Sequence, residues 1–402
     1  KEWKKVFNLD SLDIVILSIG VLAVVVSLLA HVPAGSFILG LRYDVLPLAA
    51  FIVLRRVHWT LGFAKRTAMV LLLSGVIVSG MAMIWLLIPL PIFTALGYAD
   101  LHSIYNAGGP LAPFQMIGGE LVRRAQGPMS GPNQLGIWLL LPWSLAVLDA
   151  FRSFRARHSQ LLSSILLLLI IDIALFTTLS RSAWIAAVVI AAIALVLVFP
   201  KRTAKNVLFG AAAALVIVFT FLITVSPEVI LRKNSSEGHA SLPKQAWQLM
   251  WGQPWGRGLG SAGPASNRTS DACVMQPEGS DFSWAKAHPN LCVFVGDVQV
   301  QPLERKCNCP LLTENWYLQF GVEMGAIGFV LSLLLPIFVV MTLWKARKHL
   351  PSGSAHIAAA AGLAFIGVSV AALLLHAWED SAIAFSVWIL LASVLRPNGR
   401  MN

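Results

Sequence analysis

The sequence predicts an all-α polytopic membrane fold, with about ten transmembrane helices and one large extracytoplasmic loop. Three observations carry that prediction. Hydrophobic residues make up 57% of the chain and charged residues 12%, where a soluble protein is roughly a quarter charged. The apolar residues fall in runs long enough to cross roughly 30 Å of hydrocarbon. Most of the Lys and Arg lie in the tails and in every second short connection, the distribution that marks cytoplasmic segments. The net charge of +11 therefore records membrane orientation, and no nucleic-acid partner is expected.

In chain order, Lys1, Lys4 and Lys5 precede a first span at about 13–31, and a second at about 38–54 ends in Arg55, Arg56, Lys65 and Arg66. A third span, about 67–90, leads to an outer loop at 91–132. The fourth, about 134–150, ends in RSFRARH, and the fifth, about 161–179, turns through Ser180, Arg181 and Ser182 into the sixth, about 183–199. KRTAK follows it. The seventh span, about 207–225, opens the long loop, and the eighth, about 315–344, ends in KARKH. The ninth, about 356–376, turns through HAWED into the tenth, about 381–395. No cleavable leader is read before the first span, and a chain that opens on Lys1 is expected to lack its true start.

An even span count places both termini in the cytoplasm and the long loop outside. The chain then divides into 1–225, seven spans with an outer loop; 226–313, a large outer substrate loop; and 314–402, three spans. The 91–132 loop has room for an extra re-entrant or interfacial helix. All four cysteines, Cys273, Cys292, Cys307 and Cys309, lie in the long loop. An even number there predicts two disulfides in an oxidising compartment, with three connectivities open. A zinc site on Cys307, Cys309 and His288 is the alternative, and the spacing lacks a paired CxxC.

Four stretches on the outer side exceed what a scaffold needs. In RRAQGPMSGPNQLG, Pro132 and Asn133 suit a helix start, and Arg124 is a candidate anion ligand. In TLSRSAWIA, Arg181 sits in a connection too short to be a soluble loop, where a cation must be paired or line a wet cavity. Asp172, about 13 Å deeper on the same helix, is expected to bond another helix. The segment from Arg232 to Arg268 joins an amphipathic helix at about 243–251 to a Gly-rich run. Exposed amides there suit phosphate or sugar hydroxyls. In TENWYLQFGVEMGAIG, Thr313 suits a helix cap and Gly321, Gly325 and Gly328 a close-packing face. Glu314 stands at the mouth of the span as a candidate base, and the deeper Glu323 reads as structural.

The succession GPNQLG, SRSAW, PWGRGLG in a large outer loop, then ENWYLQ with ExGxxG, resembles the O-antigen ligase and polymerase superfamily of membrane glycosyltransferases. The resemblance covers about 120–335. It implies a C-type glycosyltransferase-like architecture in the bacterial inner (plasma) membrane with its active site on the periplasmic side. The implied donor is a polyprenyl-pyrophosphate-linked glycan, and the acceptor a lipid A core or another glycan. The SR-turn arginine of the family matches Arg181, implying a contact to the carrier pyrophosphate. The family's histidine and asparagine before the YL of the post-loop helix fall on Glu314 and Asn315. Glu314 either replaces the histidine as base or signals a different acceptor. The family's loop arginine, a turn before a tryptophan, is Pro243 here, leaving Lys244 or His239 in its place.

A sugar on pyrophosphate is already activated, so the protein must orient two substrates, stabilise the leaving group and deprotonate a hydroxyl. Arginine suits the leaving group, being permanently charged and bidentate toward phosphate. The expected catalytic residues are Glu314, His239 and Arg181. Arg181, Arg124, Arg232 and Arg257 are assigned to pyrophosphate, and Asn133, Lys244, Asn315 and Tyr317 to substrate. No metal and no cofactor are expected, since the outer loop at 32–43 has no carboxylate and Asp100 and Glu120 are separated. Direct displacement would invert the anomeric carbon. A ligase, a polymerase of O-antigen or exopolysaccharide repeats, and a polyprenyl-glycan transporter all fit this outline. A transporter should also show internal repeats and broken helices at the membrane midplane, and no repeat is legible. Membrane lipid is the surrounding partner, and the oligomeric state is not readable.

Overall fold

Paired charges explain how the bundle begins. The computed structural model describes residues 9–57, 59–96, 98–100, 112–117, 122–225, 233–346 and 352–395, apart from the side chains of 98–100, 112–114, 215, 218, 219, 221, 222, 225, 233–240 and 352. α1 (Ser11–Leu29) opens on a reciprocal capping box, in which Asp10 and Asp13 each accept the other's backbone amide. The same carboxylates hold Arg55 and Arg56, just past the end of α2 (Ala34–Leu54), at 2.6–3.0 Å. Arg55 is fully buried, a position a guanidinium keeps only when paired. α2 itself widens into a π turn at Leu41–Val45. Pro47 follows at once and lacks the amide that would continue the α ladder.

α3 (Leu61–Leu87) starts on Thr60, whose hydroxyl accepts the Phe63 amide. Its last carbonyls are taken by Arg123, which donates to Leu86 and Ile88 and lies 4.7 Å from the Phe93 ring centroid. The expected outer loop carries a short helix, α4 (Leu90–Ala95), and four short strands, β1 (Tyr98–Asp100), β2 (Ala112–Phe114), β3 (Met116–Ile117) and β4 (Val122–Arg123). α5 (Pro132–Ala156) is the axis of the bundle, with every residue from Leu135 to Leu148 buried. α6 (Leu161–Thr177), α7 (Arg181–Val198) and α3 pack on it. Trp143 on α5 donates to Asp172 on α6, the helix-to-helix bond expected of that acid. α8 (Lys201–Val225) follows and presents most of its described side chains outward.

α9 (Lys233–Gly252) begins about ten residues before the helix expected at 243–251 and carries Pro243 inside it. Beyond the Gly-rich run come α10 (Gly263–Thr269) and a small sheet of β5 (Cys273–Gln276), β6 (Cys292–Val295) and β7 (Val298–Gln301). β5 runs parallel to β6, and β6 antiparallel to β7. Disulfides Cys273–Cys309 and Cys292–Cys307 close this lobe, selecting one of the three open connectivities. An Arg305–Asp271 ion pair at 2.7 Å adds to it.

α11 (Trp316–Ala346), α12 (Ser352–Ala371) and α13 (Ser381–Ala392) complete the bundle. Among the described residues, seven helices are long and apolar enough to cross a membrane, and α6 and α13 are shorter apolar helices. α8 overlies the seventh expected span. α11 is not continuous. Gly325 leaves the helical path with φ 73° and ψ −170°, a conformation that only glycine adopts without strain. The two halves of the helix meet there at the long loop.

Candidate active site

The break in α11 frees backbone groups, and the PWGRGLG run fills them. The Arg257 and Gly258 amides donate to the carbonyls of Val322 and Glu323 at 2.9 and 2.8 Å, and the Ala326 amide donates to the Pro254 carbonyl at 3.0 Å. Glu323, fully buried, accepts from the amides of Gly260 and Ala262 through Oε1 at 2.8 and 3.2 Å. The Leu259 amide takes Ser27 Oγ on α1 at 2.8 Å, and the Gly263 amide the Leu311 carbonyl at 2.8 Å. This corrects the expected anion cradle. The amides of residues 257–260, 262 and 263 are committed to protein acceptors, because a loop inserted between spans must satisfy its own polar groups. What the run offers a ligand is the exposed Arg257 side chain.

A basic turn forms where α6 ends and α7 begins. Leu179 is left-handed at φ 50° and redirects the chain, so that Ser180 caps α7 and Arg181 is its first residue. Arg124 lies against this turn, 5% exposed. It donates to the Thr178 carbonyl at 2.8 Å, to Asn133 Oδ1 at 2.7 Å and to Gln115 Oε1 at 2.5 Å. Asn133 is therefore no cap. Gly131 holds that position in α5, and the Asn133 carboxamide turns to the arginine. Gly136, which closes GPNQLG, is what lets the turn approach. A Cβ there would lie 2.9 Å from Ala183 Cβ and 3.1 Å from Thr178 Oγ1. Arg181 is half-buried and has interactions of its own. Beside Arg124 in sequence, Gln126 is 1% exposed with neither carboxamide atom bonded among the described residues.

An acidic turn forms where the long loop enters α11. Glu314 is also left-handed, at φ 47°, and its amide donates to His376 Nε2 at 3.2 Å. The expected helix cap shifts by two residues, since Asn315 Oδ1 accepts the Leu318 amide at 2.9 Å while Thr313 Oγ1 donates to the Asn315 carbonyl. Asn315 Nδ2 also donates to the Leu373 carbonyl at 2.8 Å. Tyr317, 4% exposed, donates its hydroxyl to the Ser369 carbonyl at 2.9 Å and so ties α11 to α12.

His376 belongs to the turn after α12 and leads into a buried network. Because Nε2 accepts from Glu314, the proton sits on Nδ1 and is donated to Gln319 Oε1 at 2.7 Å. Burial holds this imidazole down at about 4, against an opposing pull from the Glu314 charge. The Gln319 amide in turn donates to Glu379. Burial first, and then the neighbouring Asp44 and Glu323 carboxyls, push Glu379 well above the usual carboxylate range. Trp316 Nε1 donates to Asp44 in the π turn of α2 at 3.1 Å.

Ser130, before α5, donates to Asp380, the cap of α13, at 3.4 Å, which links the segment after Arg124 to the turn after α12. The structure thus gathers Arg124, Asn133 and the turn of Arg181, and separately Glu314 and Asn315 with His376. Lys244 is exposed on α9, and His239 lies in α9 without a described side chain. Arg232 falls outside the described residues. The four cysteine sulfurs are in bridges, so the zinc alternative has no thiolate to use. The residues that sequence reading missed are Gln115, Gln319, His376 and Glu379. The signal for two of them was present, since HAWED packs His376, Glu379 and Asp380 into five residues of an outer turn.

A mostly helical bundle with several spans long and apolar enough to cross a membrane, and a disulfide-closed loop between them, defines the class as an all-α polytopic membrane protein. Residues 164–286 match the family model described as O-antigen ligase, which supports the O-antigen ligase and polymerase superfamily to which the four motifs point. That match spans the basic turn and most of the long loop. The family is one of glycosyltransferase-like membrane enzymes of ligase or polymerase type. No curated protein matches the chain.

Proposed function

We propose that the protein is a glycosyltransferase of the O-antigen ligase family. It moves a glycan from a polyprenyl-pyrophosphate carrier to a lipid A core or similar acceptor on the outer face of the bacterial inner membrane, with both termini cytoplasmic. The observation that carries this reading is the basic turn. Inside the matched segment, the Arg181 turn accepts a buried Arg124 that also grips Asn133, a constellation a simple span connection does not need. Arg181 and Arg124 stabilise the departing pyrophosphate, assisted by Arg257 and Arg232 from the loop. Glu314 takes the proton of the acceptor hydroxyl, with His239 as the second candidate base. Asn133, Asn315, Tyr317 and Lys244 position substrate, Tyr317 through its tie to α12. The reaction needs no metal and inverts the anomeric carbon, so a retained configuration in the product would refute this stereochemistry.

A polymerase of O-antigen or exopolysaccharide repeats is the second reading, favoured by Glu314 standing where the family has histidine. The broken α11 has a counterpart in transporter folds. Here, however, the backbone groups freed by the break are bonded to loop backbone. The deciding experiment incubates purified protein with carrier-linked repeat units, with and without a lipid-core acceptor, and follows products by mass spectrometry. One whole donor glycan on the added acceptor supports a ligase. Oligomers formed without it support a polymerase. Donor binding with no product under any acceptor condition would overturn the enzyme reading.

A further inference from the structure

At the end of the bundle away from the candidate site, a cavity of about 450 Å³ opens between α5, α7, α11 and α12. The α12 wall is built of small residues at one end and of Leu363 and Ile366 at the other. Ala355, Ala359 and Gly362 recur at helical spacing and place no large side chain in the gap. The opposing walls are apolar, and three of their residues are open to the surroundings: Leu197 is 45%, Val340 38% and Trp344 56% exposed. In a membrane-spanning bundle those surroundings are hydrocarbon, and an apolar space of this kind takes a chain in preference to water.

One end of the cavity is charged. Arg152, near the end of α5, lines it and donates to His356 Nδ1 on α12. The other ring nitrogen, Nε2, must then carry the proton, and it donates to Asp149 at 2.6 Å. This relay fixes the arginine against the neighbouring helix. Among the described residues His356 is the hydrogen-bond partner of Arg152, and the nearby Asp149 carboxylate attracts it; a guanidinium with one such bond has further N–H donors to offer. An apolar cleft ending in a tethered guanidinium matches an acyl chain leading to a phosphate.

We propose that this cavity binds one anionic phospholipid, with an acyl chain between α5, α7, α11 and α12 and its phosphate on Arg152. The lipid belongs to the leaflet opposite the candidate site. Along α7, the sixteen steps from Arg181 to Leu197 span about 24 Å, and along α5 the nineteen from Asn133 to Arg152 span about 28 Å. A carrier whose pyrophosphate sits at Arg181 therefore has its headgroup in the other leaflet. The proposal rests on the membrane-spanning character of the bundle and is independent of the reaction assigned above.

The test is native mass spectrometry of the purified full chain, delipidated and then offered phosphatidylglycerol, phosphatidylcholine with the same chains, or polyprenyl phosphate. Wild type should retain one phosphatidylglycerol. Arg152→Gln should weaken that retention about fivefold, the worth of one cation against an anionic headgroup. Ala359→Trp, which fills the cleft, should abolish it. If Ala359→Trp does not fold, Arg152→Gln and the lipid comparison still decide. Equal retention of phosphatidylglycerol by wild type and Arg152→Gln would overturn the proposal, as would equal retention of both phospholipids by wild type. Preferential uptake of polyprenyl phosphate would reassign the cavity to the carrier and overturn it too.

Discussion

The basic turn at Thr178–Arg181 and the acidic turn at Thr313–Asn315 solve the same backbone problem in the same way, yet stand on different supports. Each redirects the chain into a helix at a left-handed non-glycine residue, Leu179 at φ 50° and Glu314 at φ 47°. Such residues cost of order 1–3 kcal/mol and persist where surrounding structure over-determines them. At the basic turn the support is a permanent charge, Arg124, bound to a carbonyl and two carboxamides. At the acidic turn the support is a neutral imidazole backed by Gln319 and Glu379. The first arrangement is indifferent to pH over the physiological range. The second depends on proton placement at every link. The proposed reaction puts a fixed anion at the first turn and a proton transfer at the second.

The comparison breaks first at Arg181. Arg181→Ala should lower transfer by roughly 10²–10³-fold, the usual loss on removing one stabiliser of developing charge, with membrane insertion unchanged. Arg181→Lys should keep part of the rate, because it restores charge without the bidentate fork. A wild-type rate for Arg181→Ala in a purified transfer assay would take the leaving-group role away from the basic turn. At the acidic turn, Glu314→Gln should lower transfer about 10²-fold with donor binding largely preserved. If transfer is unchanged, suspicion moves to His239.

The packing behind the basic turn gives a smaller effect. Gly136→Ala places a methyl 2.9 Å from Ala183 Cβ and 3.2 Å from Ser180 Cβ. The turn must then shift from α5, at a cost of about 1–3 kcal/mol. A lowered thermal midpoint in detergent, with a lower transfer rate in the folded fraction, is the expected outcome. An unchanged midpoint would show that the SR turn does not depend on that close approach.

Most of the fold was legible because lipid imposes simple rules on composition. Apolar runs and alternate basic connections located helices at the expected spans, and confinement of Cys273, Cys292, Cys307 and Cys309 to one loop anticipated two bridges. The pairing was not legible, since loop closure alone does not choose among connectivities. GPNQLG, SRSAW and ENWYLQ fall at helix starts where the chain turns. Periodicity could not show that Arg124 reaches Thr178 across more than fifty residues of sequence, nor that PWGRGLG would be drawn into α11. Gly325 read as a packing residue, whereas it breaks the helix and fixes the loop there. His376 and Glu379 were missed for a related reason. Their partners Glu314 and Gln319 lie some sixty residues earlier, and only the fold brings the two stretches together.

The smallest effect tests the difference between the supports directly. His376 lies in the turn beyond α12 and is neutral when folded, its pKa lowered by burial from 6.5 to about 4. Unfolded, it takes a proton near its ordinary pKa. Between about pH 6.5 and about 4 the unfolded chain therefore binds the extra proton, and stability falls as pH falls, by about 1.4 kcal/mol per pH unit for this one group. Above about pH 6.5 the group adds no pH dependence. His376→Gln should flatten that part of the thermal midpoint against pH while lowering the midpoint at pH 7, because one carboxamide does not occupy both ring-nitrogen positions that bond Glu314 and Gln319. Arg124→Gln should lower the midpoint without changing the slope, since no proton is exchanged at the basic turn. Equal slopes for wild type and His376→Gln would show that the imidazole is not held neutral. The acidic turn would then rest, like the basic one, on fixed charge.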